Sequence, residues 1–351
     1  MEDRYKTSIR VLFPVKIYGV LLIGCGHIGL QHLQDIYYRD NIRIIAVADQ
    51  NITAAKEAAK KYNALEYDTD YHRFLSEKSI DIVIIATYTV SHLQILKDCV
   101  AYGKHVLCEK PIAATLTDGE AFVQTVKASS SKVLVAHILR HNQSYIKVRE
   151  LIQNGTIGDL RVARMVQNHH TMDWQRYCRL LKDCTPLVDC GVHYIDILQW
   201  FTESGVREVS GIGSRVDPDS PNVNYTLMTF RLENGCVGYY ESGWSPNIAS
   251  ENVKEFIGTK GRITLQLKDH RLSGREQGDL IMIYHRDTGE YQQINLNVPY
   301  KDMYGQLSTL IDMIERDVPG DPTIDSVFSA FKVAITAQKA IETGKVLTVP
   351  D

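Results

Sequence analysis

A glycine-rich segment near the start of the chain limits the possible folds more than any other feature. It has the pattern G-x-G-x-x-G, follows a short apolar run at 20–23, and precedes apolar side chains with helical spacing at 28–38. A strand, a glycine turn and a helix in this order are typical of the first βαβ unit of a dinucleotide-binding Rossmann domain. The segment consists of Gly24, Cys25, Gly26, His27, Ile28 and Gly29.

The chemistry of a dinucleotide accounts for these positions. Gly24 permits a tight turn, Gly26 lets a diphosphate approach the backbone, and Gly29 lets the helix pack closely on the sheet. The helix N-terminus, with His27 and Ile28 in its first turn, offers unpaired N–H groups to phosphates. We therefore expect these five residues to bind the cofactor.

Asp49 indicates which dinucleotide is preferred. It ends the second apolar strand, 20 residues after Gly29. A carboxylate here would accept hydrogen bonds from ribose hydroxyls and would repel a 2′-phosphate. Gln50 and Asn51 follow without a neighbouring Arg or Lys. The sequence thus favours NAD over NADP.

Residues 1–140 predict one α/β domain, in which 1–16 form an N-terminal extension. Continuous apolar strands alternating with helices are typical of a parallel sheet covered on both faces. The further predicted strands are 44–48, 81–87, 105–109 and 132–139, and the further predicted helices are 52–62, 71–77 with Asp70 as its cap, 91–102 and 117–128.

Residues 141–351 predict a second, α+β domain. Strand patterns separated by hairpin turns favour an open, mostly antiparallel sheet, and we expect the last helix to pack back on the first domain. The predicted helices are 144–153, 189–201, 303–316 and 325–342, and the hairpin strands are 225–232, 236–240, 281–285 and 291–296.

A lysine follows the strand at 105–109, in the segment KHVLCEKP. Ligands of open α/β sheets bind at the carboxyl ends of strands, so Glu109 and Lys110 would face the nicotinamide. Pro111 fixes the backbone after them and could form a cis bond. The alternative is a surface lysine before a turn, and the spacing alone does not decide.

Asp189, His193 and Asp196 are spaced i, i+4 and i+7, which predicts one helical face. A histidine between two carboxylates is a plausible proton-transfer group, because a nearby carboxylate raises its basicity. The alternative is a core helix whose polar groups are satisfied by neighbours. A metal site is not predicted, since no third ligand has the required spacing.

Three motifs in this order resemble the glucose-fructose oxidoreductase, inositol dehydrogenase and MocA family. They are G-x-G-x-x-G-x-x-H at 24–32, GKHVLCEKP at 103–111 and DCGVHYIDILQW at 189–200. The resemblance implies a Rossmann domain, a second domain on an open mixed sheet, and NAD(P)-dependent oxidation of sugars, cyclitols or related compounds. It also implies a homodimer or homotetramer formed through the open sheet.

By this resemblance, Lys110, Asp189 and His193 match the family's catalytic triad. His193 would be the general base, and Lys110 would hold the substrate hydroxyl and stabilise developing negative charge. Asp189 would position the substrate or His193. The parts taken by Lys110 and His193 could be exchanged, and the sequence leaves this open.

Further candidates come from the same resemblance. Thr87 and His92 occupy the family's T-P-x-x-x-H pattern on the cofactor side, where Tyr88 replaces the usual proline. Arg140 could contact the substrate or support the domain junction. The remaining candidates for substrate contact are His169, His170, Trp174 and Trp244, of which the tryptophans could instead be core residues.

Composition excludes several classes of partner. The net charge is −3, without a block of like charges, which argues against nucleic acid and membrane surfaces. The seven cysteines include no C-x-x-C pair. Because no signal peptide is recognisable, we expect free thiols in a reducing cytoplasm.

Three functions follow from these residues. The first is an NAD-dependent dehydrogenase acting on a small polyol or sugar. The second is an enzyme that recycles bound NAD during glycoside cleavage or epimerisation. The third is a non-catalytic NAD-sensing regulator, against which the complete triad argues.

Overall fold

The computed structural model describes residues 16–267, 278–299 and 301–350, so the predicted extension lies, apart from Lys16, outside the described residues. Strands and helices alternate through the first part of the chain. They are β1 (Tyr18–Ile23), α1 (His27–Ile36), β2 (Ile42–Ala48), α2 (Ile52–Tyr62), β3 (Glu66–Asp68), α3 (His72–Leu75), β4 (Ile82–Ile85), α4 (His92–Ala101), β5 (His105–Cys108), α5 (Leu116–Ala128) and β6 (Val133–Val135).

The first six strands form a parallel sheet in the order β3-β2-β1-β4-β5-β6. Its central strand β4 is buried along its whole length, as expected for a sheet with helices on both faces. The predicted Rossmann sheet is confirmed.

Two predicted elements of this domain are wrong in extent. The strand at 132–139 ends at Val135, and the chain then turns through a 3₁₀ helix at Ile138–His141. The apolar side chains of this 3₁₀ helix are buried like those of the strand. The continuous apolar run in the sequence therefore could not distinguish a strand from a turn. The helix at 71–77 covers only His72–Leu75, and Asp70 accepts the His72 N–H at its start.

The remaining chain builds a second sheet with helices against it. The predicted domain boundary near residue 140 falls in the 3₁₀ helix between the two sheets. The further elements are α6 (Gln143–Gln153), β7 (Leu160–His170), α7 (Trp174–Leu180), α8 (Pro186–Asp189), α9 (Gly191–Thr202), β8 (Val206–Ser214), β9 (Tyr225–Leu232), β10 (Val237–Ser245), β11 (Glu251–Gly258), β12 (Gly261–Gln266), β13 (Asp279–His285), β14 (Tyr291–Leu296), α10 (Met303–Arg316), α11 (Ile324–Thr343) and β15 (Leu347–Thr348).

The described strands of the second sheet follow the order β14-β13-β12-β11-β7-β10-β9-β8-β15. Only β7 and β10 pair in parallel among them, and both predicted hairpins form. Burial alternates along β12, so one face of the sheet is buried and the other is partly open. The predicted open and mostly antiparallel sheet is confirmed.

Helix α9 packs on the second sheet, and α11 packs on both domains. Phe201 of α9 packs edge to face on Phe256 of β11, with ring centroids 5.4 Å apart. Phe331 of α11 lies over Gly119 of α5, where an added Cβ would be 2.4 Å from the ring. The last long helix therefore packs on the first domain as well as on the second sheet. None of the helices in the described residues has the length and apolarity needed to cross a membrane.

Candidate active site

The glycine segment forms a tight turn with an open outer side. Gly24 has φ +97°, and a Cβ there would lie 2.5 Å from the Ala86 carbonyl oxygen. A Cβ at Gly29 would lie 1.9 Å from the Gly24 carbonyl oxygen, whereas one at Gly26 would meet no heavy atom within 4 Å. The loop is thus closed toward the sheet and accessible from the side that a ligand would occupy.

Helix α1 and Asp49 supply the polar groups beside this opening. The N-cap residue Gly26 has no side chain to accept the first N–H groups of α1, which leaves them for an anion. Asp49 accepts the Cys25 N–H at Oδ2 (2.7 Å) and the Asn51 N–H at Oδ1 (2.8 Å). Each carboxylate oxygen keeps a lone pair for a ribose hydroxyl. The residues present fit a dinucleotide.

Glu109 closes the inner side of this opening. It follows β5 and pairs with His32 of α1, with 2.8 Å between Oε1 and Nε2. Burial raises the pKa of Glu109, but the hydrogen bond and charge of His32, with the charges of Lys110 and Lys301, outweigh burial and lower the pKa. Glu109 is therefore a carboxylate already engaged within the protein.

Lys110 joins the two domains. Its Nζ donates to Oδ1 and to the carbonyl oxygen of Asp189, each at 3.0 Å, and the Lys110–Pro111 peptide bond is cis. The side chains of Lys110 and Asp189 are 16% and 23% exposed, so the pair faces a cleft. A side chain at the carboxyl edge of the Rossmann sheet is thereby fixed to the second domain.

The predicted helix at 189–201 is interrupted by a turn beside this ion pair. In a continuous helix the His193 N–H would bond to the Asp189 carbonyl. Here Lys110 donates to that carbonyl, and the His193 N–H bonds to the Cys190 carbonyl at 3.1 Å. Helix α8 ends at Asp189 and α9 begins at Gly191, while Cys190 between them keeps α-helical dihedral angles. The predicted start of the long helix at Asp189 is therefore wrong, and a shared face of Asp189, His193 and Asp196 stays a prediction.

Burial and two nearby lysines, rather than carboxylates, set the pKa of His193. Its Nδ1 is buried without a hydrogen-bond partner in the part of the chain that is described, and its ring lies 5.5 Å from that of His137. Burial lowers the pKa of His193 well below 6.5, and Lys110, His137 and Lys301 lower it further. This corrects the prediction that adjacent carboxylates raise its basicity, and the imidazole is neutral at pH 7.

Arg140 takes the second predicted carboxylate. It binds Asp196 in a fork, with Nε–Oδ2 and Nη2–Oδ1 both 2.8 Å, and also pairs with Asp321. The side chains of Arg140 and Asp196 are 7% and 1% exposed. Two roles were predicted for Arg140, substrate contact and support of the domain junction. The geometry supports the role at the domain junction and corrects the assignment of Arg140 to the substrate.

The other predicted cofactor residues lie in a loop held by His92. Its Nδ1 is 2.9 Å from the Pro111 carbonyl, and its Nε2 is 3.1 Å from the Thr87 carbonyl. Burial lowers the pKa of His92, and a neutral imidazole has one N–H, so the ring donates to one of these two carbonyls. His92 thus positions the loop, and its direct contact with the cofactor stays a prediction. The Thr87 hydroxyl bonds to Ser91 at 2.7 Å.

The predicted aromatic and histidine candidates cluster near the end of β7. His169 and Tyr177 pack edge to face, and the Trp174 Nε1 donates to Asp219 at 2.8 Å. His170 is exposed at the strand end, whereas Trp244 is 2% exposed and is a core residue. Substrate contact by His169, His170 and Trp174 stays a prediction.

Two residues of the site were not predicted. His137 follows β6 at the carboxyl edge of the sheet, and the strand-end rule that singled out Lys110 would have indicated it. Lys301 precedes α10 and donates to Gln31 of α1 at 2.9 Å. It approaches the site from 191 residues beyond Lys110, and no local pattern marks such a contact.

Metal ligands and thiols do not add to this site. The described ranges contain no group of three or more His, Cys, Asp or Glu side chains arranged to hold a metal ion. All seven cysteines are free thiols, five of them buried, and Cys178 and Cys184 are partly exposed.

Comparison with known families agrees with this arrangement. Residues 18–137 match a family described as "Oxidoreductase family, NAD-binding Rossmann fold", and residues 145–264 match the "GFO/IDH/MocA C-terminal domain". Together the two matched segments cover most of the chain.

Individual relatives extend the match along nearly the whole chain. The myo-inositol 2-dehydrogenase of Thermotoga maritima is 23% identical over 326 residues, which are 92% of this chain and 95% of that protein. The scyllo-inositol dehydrogenase of Lactobacillus casei, solved with NAD(H) and scyllo-inositol, superposes with a TM-score of 0.79 at 21% identity over 95% and 99% of the two chains. The myo-inositol 2-dehydrogenase of Lactobacillus plantarum gives 0.81 at 16% identity over 95% and 100%.

The buried pair of Arg140 and Asp196 yields a stability prediction. Replacing Arg140 by Ala leaves Asp196 buried without its forked partner, and we expect the free energy of unfolding to fall by about 3 kcal/mol. Urea denaturation measures this. Arg231→Ala, at the exposed pair with Glu208, is the control and should cost less than about 1 kcal/mol. Equal effects of the two variants would contradict a structural part for Arg140.

Proposed function

The chain belongs to the GFO/IDH/MocA oxidoreductase family, and from this premise we propose that it is an NAD-dependent dehydrogenase of a sugar, cyclitol or sugar derivative. When bound, the nicotinamide supplies the acceptor for the hydride of a secondary hydroxyl carbon. The observation that carries the proposal is the cleft in which the Lys110–Asp189 pair meets a neutral His193.

Lys110 acts as the cationic donor. Burial lowers the pKa of its amine, but Asp189 outweighs burial, and the pKa lies above its ordinary value. The ammonium therefore keeps its proton at neutral pH. It can hold the substrate oxygen and stabilise the negative charge that develops there when the hydroxyl proton leaves.

His193 acts as the general base. A base must be unprotonated before the reaction, and burial, together with the charges of Lys110 and Lys301, keeps the pKa of His193 low and its imidazole neutral. These opposite protonation states support His193 as the proton acceptor and Lys110 as the donor. Asp189 positions Lys110 rather than His193, because its hydrogen bonds go to the Lys110 amine.

The cofactor residues of this proposal are those of the open phosphate loop. Gly24, Gly26 and Gly29 shape the loop, and the first N–H groups of α1, at His27 and Ile28, bind the diphosphate. Asp49 binds the adenosine ribose, and its charge selects NAD over NADP. Thr87, Glu109 and Lys110 line the nicotinamide side.

The substrate class follows from the relatives. The similar proteins from Thermotoga maritima and Lactobacillus plantarum are named myo-inositol 2-dehydrogenases, and that from Lactobacillus casei is named scyllo-inositol dehydrogenase. A cyclitol is therefore the first substrate to test here. The partly open face of the second sheet supports a homodimer or homotetramer, and the free thiols agree with a reducing cytoplasm.

Turnover of a cyclitol panel tests the activity. We expect NADH formation with at least one inositol, and a loss of kcat/KM of about 100-fold or more in Lys110→Met and in His193→Gln. Lys97→Met, at an exposed position of α4, is the matched control and should keep full activity. Cofactor that stays bound through turnover without net NADH would contradict the proposal and favour NAD recycling.

The pH profile tests the part of His193. Oxidation needs the neutral imidazole, so kcat/KM falls as the pH drops through its pKa. Since burial and Lys110 hold that pKa well below 6.5, we expect kcat/KM to stay level as the pH is lowered to 6.5 and to fall only in more acidic solution. A profile of initial rates at subsaturating substrate measures this. A fall centred at or above pH 6.5 would contradict a neutral, cation-flanked base.

The ratio of kcat/KM for NAD and NADP tests Asp49. We expect the wild-type protein to favour NAD. Asp49→Ser removes the charge and the acceptor for the ribose hydroxyls, so kcat/KM with NAD should fall by about tenfold or more while that with NADP does not fall. Asp49→Asn separates the two effects, because it keeps an acceptor. A wild-type preference for NADP would overturn this assignment.

A further inference from the structure

Lys301 is held over the first turns of α1. It follows β14 and precedes α10, whose N-cap is Asp302. Its Nζ donates to Gln31 Oε1 at 2.9 Å, and Gln31 Nε2 lies 3.1 Å from His27 Nε2. Two residues after Lys301, Met303 donates its N–H to Asp35 of α1 at 3.2 Å. The segment thereby fixes an ammonium group beside the helix that carries the phosphate loop.

The charges acting on Lys301 place it between the phosphate loop and the catalytic pair. Burial lowers its pKa, Glu109 raises it, and Lys110 and Arg176 lower it. The buried Cys190 thiol is the remaining titratable neighbour. On its other side, burial and the charges of Arg176 and Lys301 lower the pKa of His27. Lys110 and Arg176 thus add positive charge near Lys301.

The nearby carboxylates already have partners. Glu109 pairs with His32, and Asp189 pairs with Lys110. Within the described part of the chain, Lys301 has no carboxylate at ion-pair distance, and its hydrogen-bond acceptor is the neutral amide of Gln31. An ammonium has three N–H donors, and burying it without a counter-charge is costly. An incoming oxyanion would supply both acceptors and charge.

We propose that Lys301 binds an oxyanion of the ligand that enters between α1 and Lys110. The inference rests on the proposed function, because it concerns the same cleft. Two sources share this chemistry: the diphosphate of the dinucleotide, and the carboxylate of a polyhydroxy acid used as substrate. The second source would make a sugar acid, rather than a neutral polyol, the preferred substrate.

Binding of NADH to the full-length protein, followed by fluorescence, tests the first source. If Lys301 contacts the diphosphate, Lys301→Met should weaken the affinity about tenfold or more. Lys301→Arg keeps the charge and should recover most of the affinity for NADH. The control variant Lys60→Met, at an exposed position of α2, should leave that affinity unchanged. Gln31→Leu, which removes the acceptor that holds Lys301, is the second variant in case Lys301→Met does not fold.

Calorimetry on the NADH-loaded protein tests the second source with D-glucose and D-glucuronate, which differ by one carboxylate. If Lys301 binds the substrate acid, Lys301→Met should weaken the affinity for D-glucuronate about tenfold. The affinities for D-glucose and NADH should stay unchanged. Affinities for all three probes that are unaltered in both Lys301→Met and Gln31→Leu would overturn the inference. Failure of the wild-type protein to bind NADH would instead overturn the proposed function, so the two failures are distinguishable.

Discussion

The ion pair between Lys110 and Asp189 is the contact on which the rest of the site depends. It joins the carboxyl edge of the parallel sheet to the first helices of the second domain, and it uses a backbone carbonyl as well as a carboxylate. Next to this contact, α8 ends at Asp189 and α9 begins at Gly191, with His193 in its first turn. One lysine therefore ties the parallel sheet to the segment that carries His193.

The same pair sets the protonation states in the cleft. Asp189 keeps Lys110 charged, while burial and the nearby cations keep His193 neutral. Removal of a hydroxyl proton requires a positioned hydrogen-bond donor and an unprotonated base. In the proposed mechanism these are the Lys110 ammonium and the His193 imidazole. Arg140 and Asp196 form a separate, buried ion pair on α9.

The sequence predicted the parts of the molecule that local chemistry determines. Three glycines and Asp49 indicated the Rossmann sheet and its ligand edge, since each turn and strand end has a local physical reason. The contact between Lys110 and Asp189 could not be predicted from local spacing, because the two residues are 79 positions apart in the sequence. For the same reason Asp196 was assigned to His193, although Arg140 binds it in the folded protein. Spacing predicts which residues share a helix, and contacts between distant segments decide which side chains bind each other.

A crystal structure with NAD and myo-inositol tests the central claim most directly. The account predicts one ring hydroxyl within about 3 Å of both the Lys110 amine and the His193 imidazole, with the carbon of that hydroxyl facing the nicotinamide and with Asp189 still paired to Lys110. A nicotinamide bound elsewhere, or a cyclitol whose reacting hydroxyl touches neither Lys110 nor His193, would contradict it.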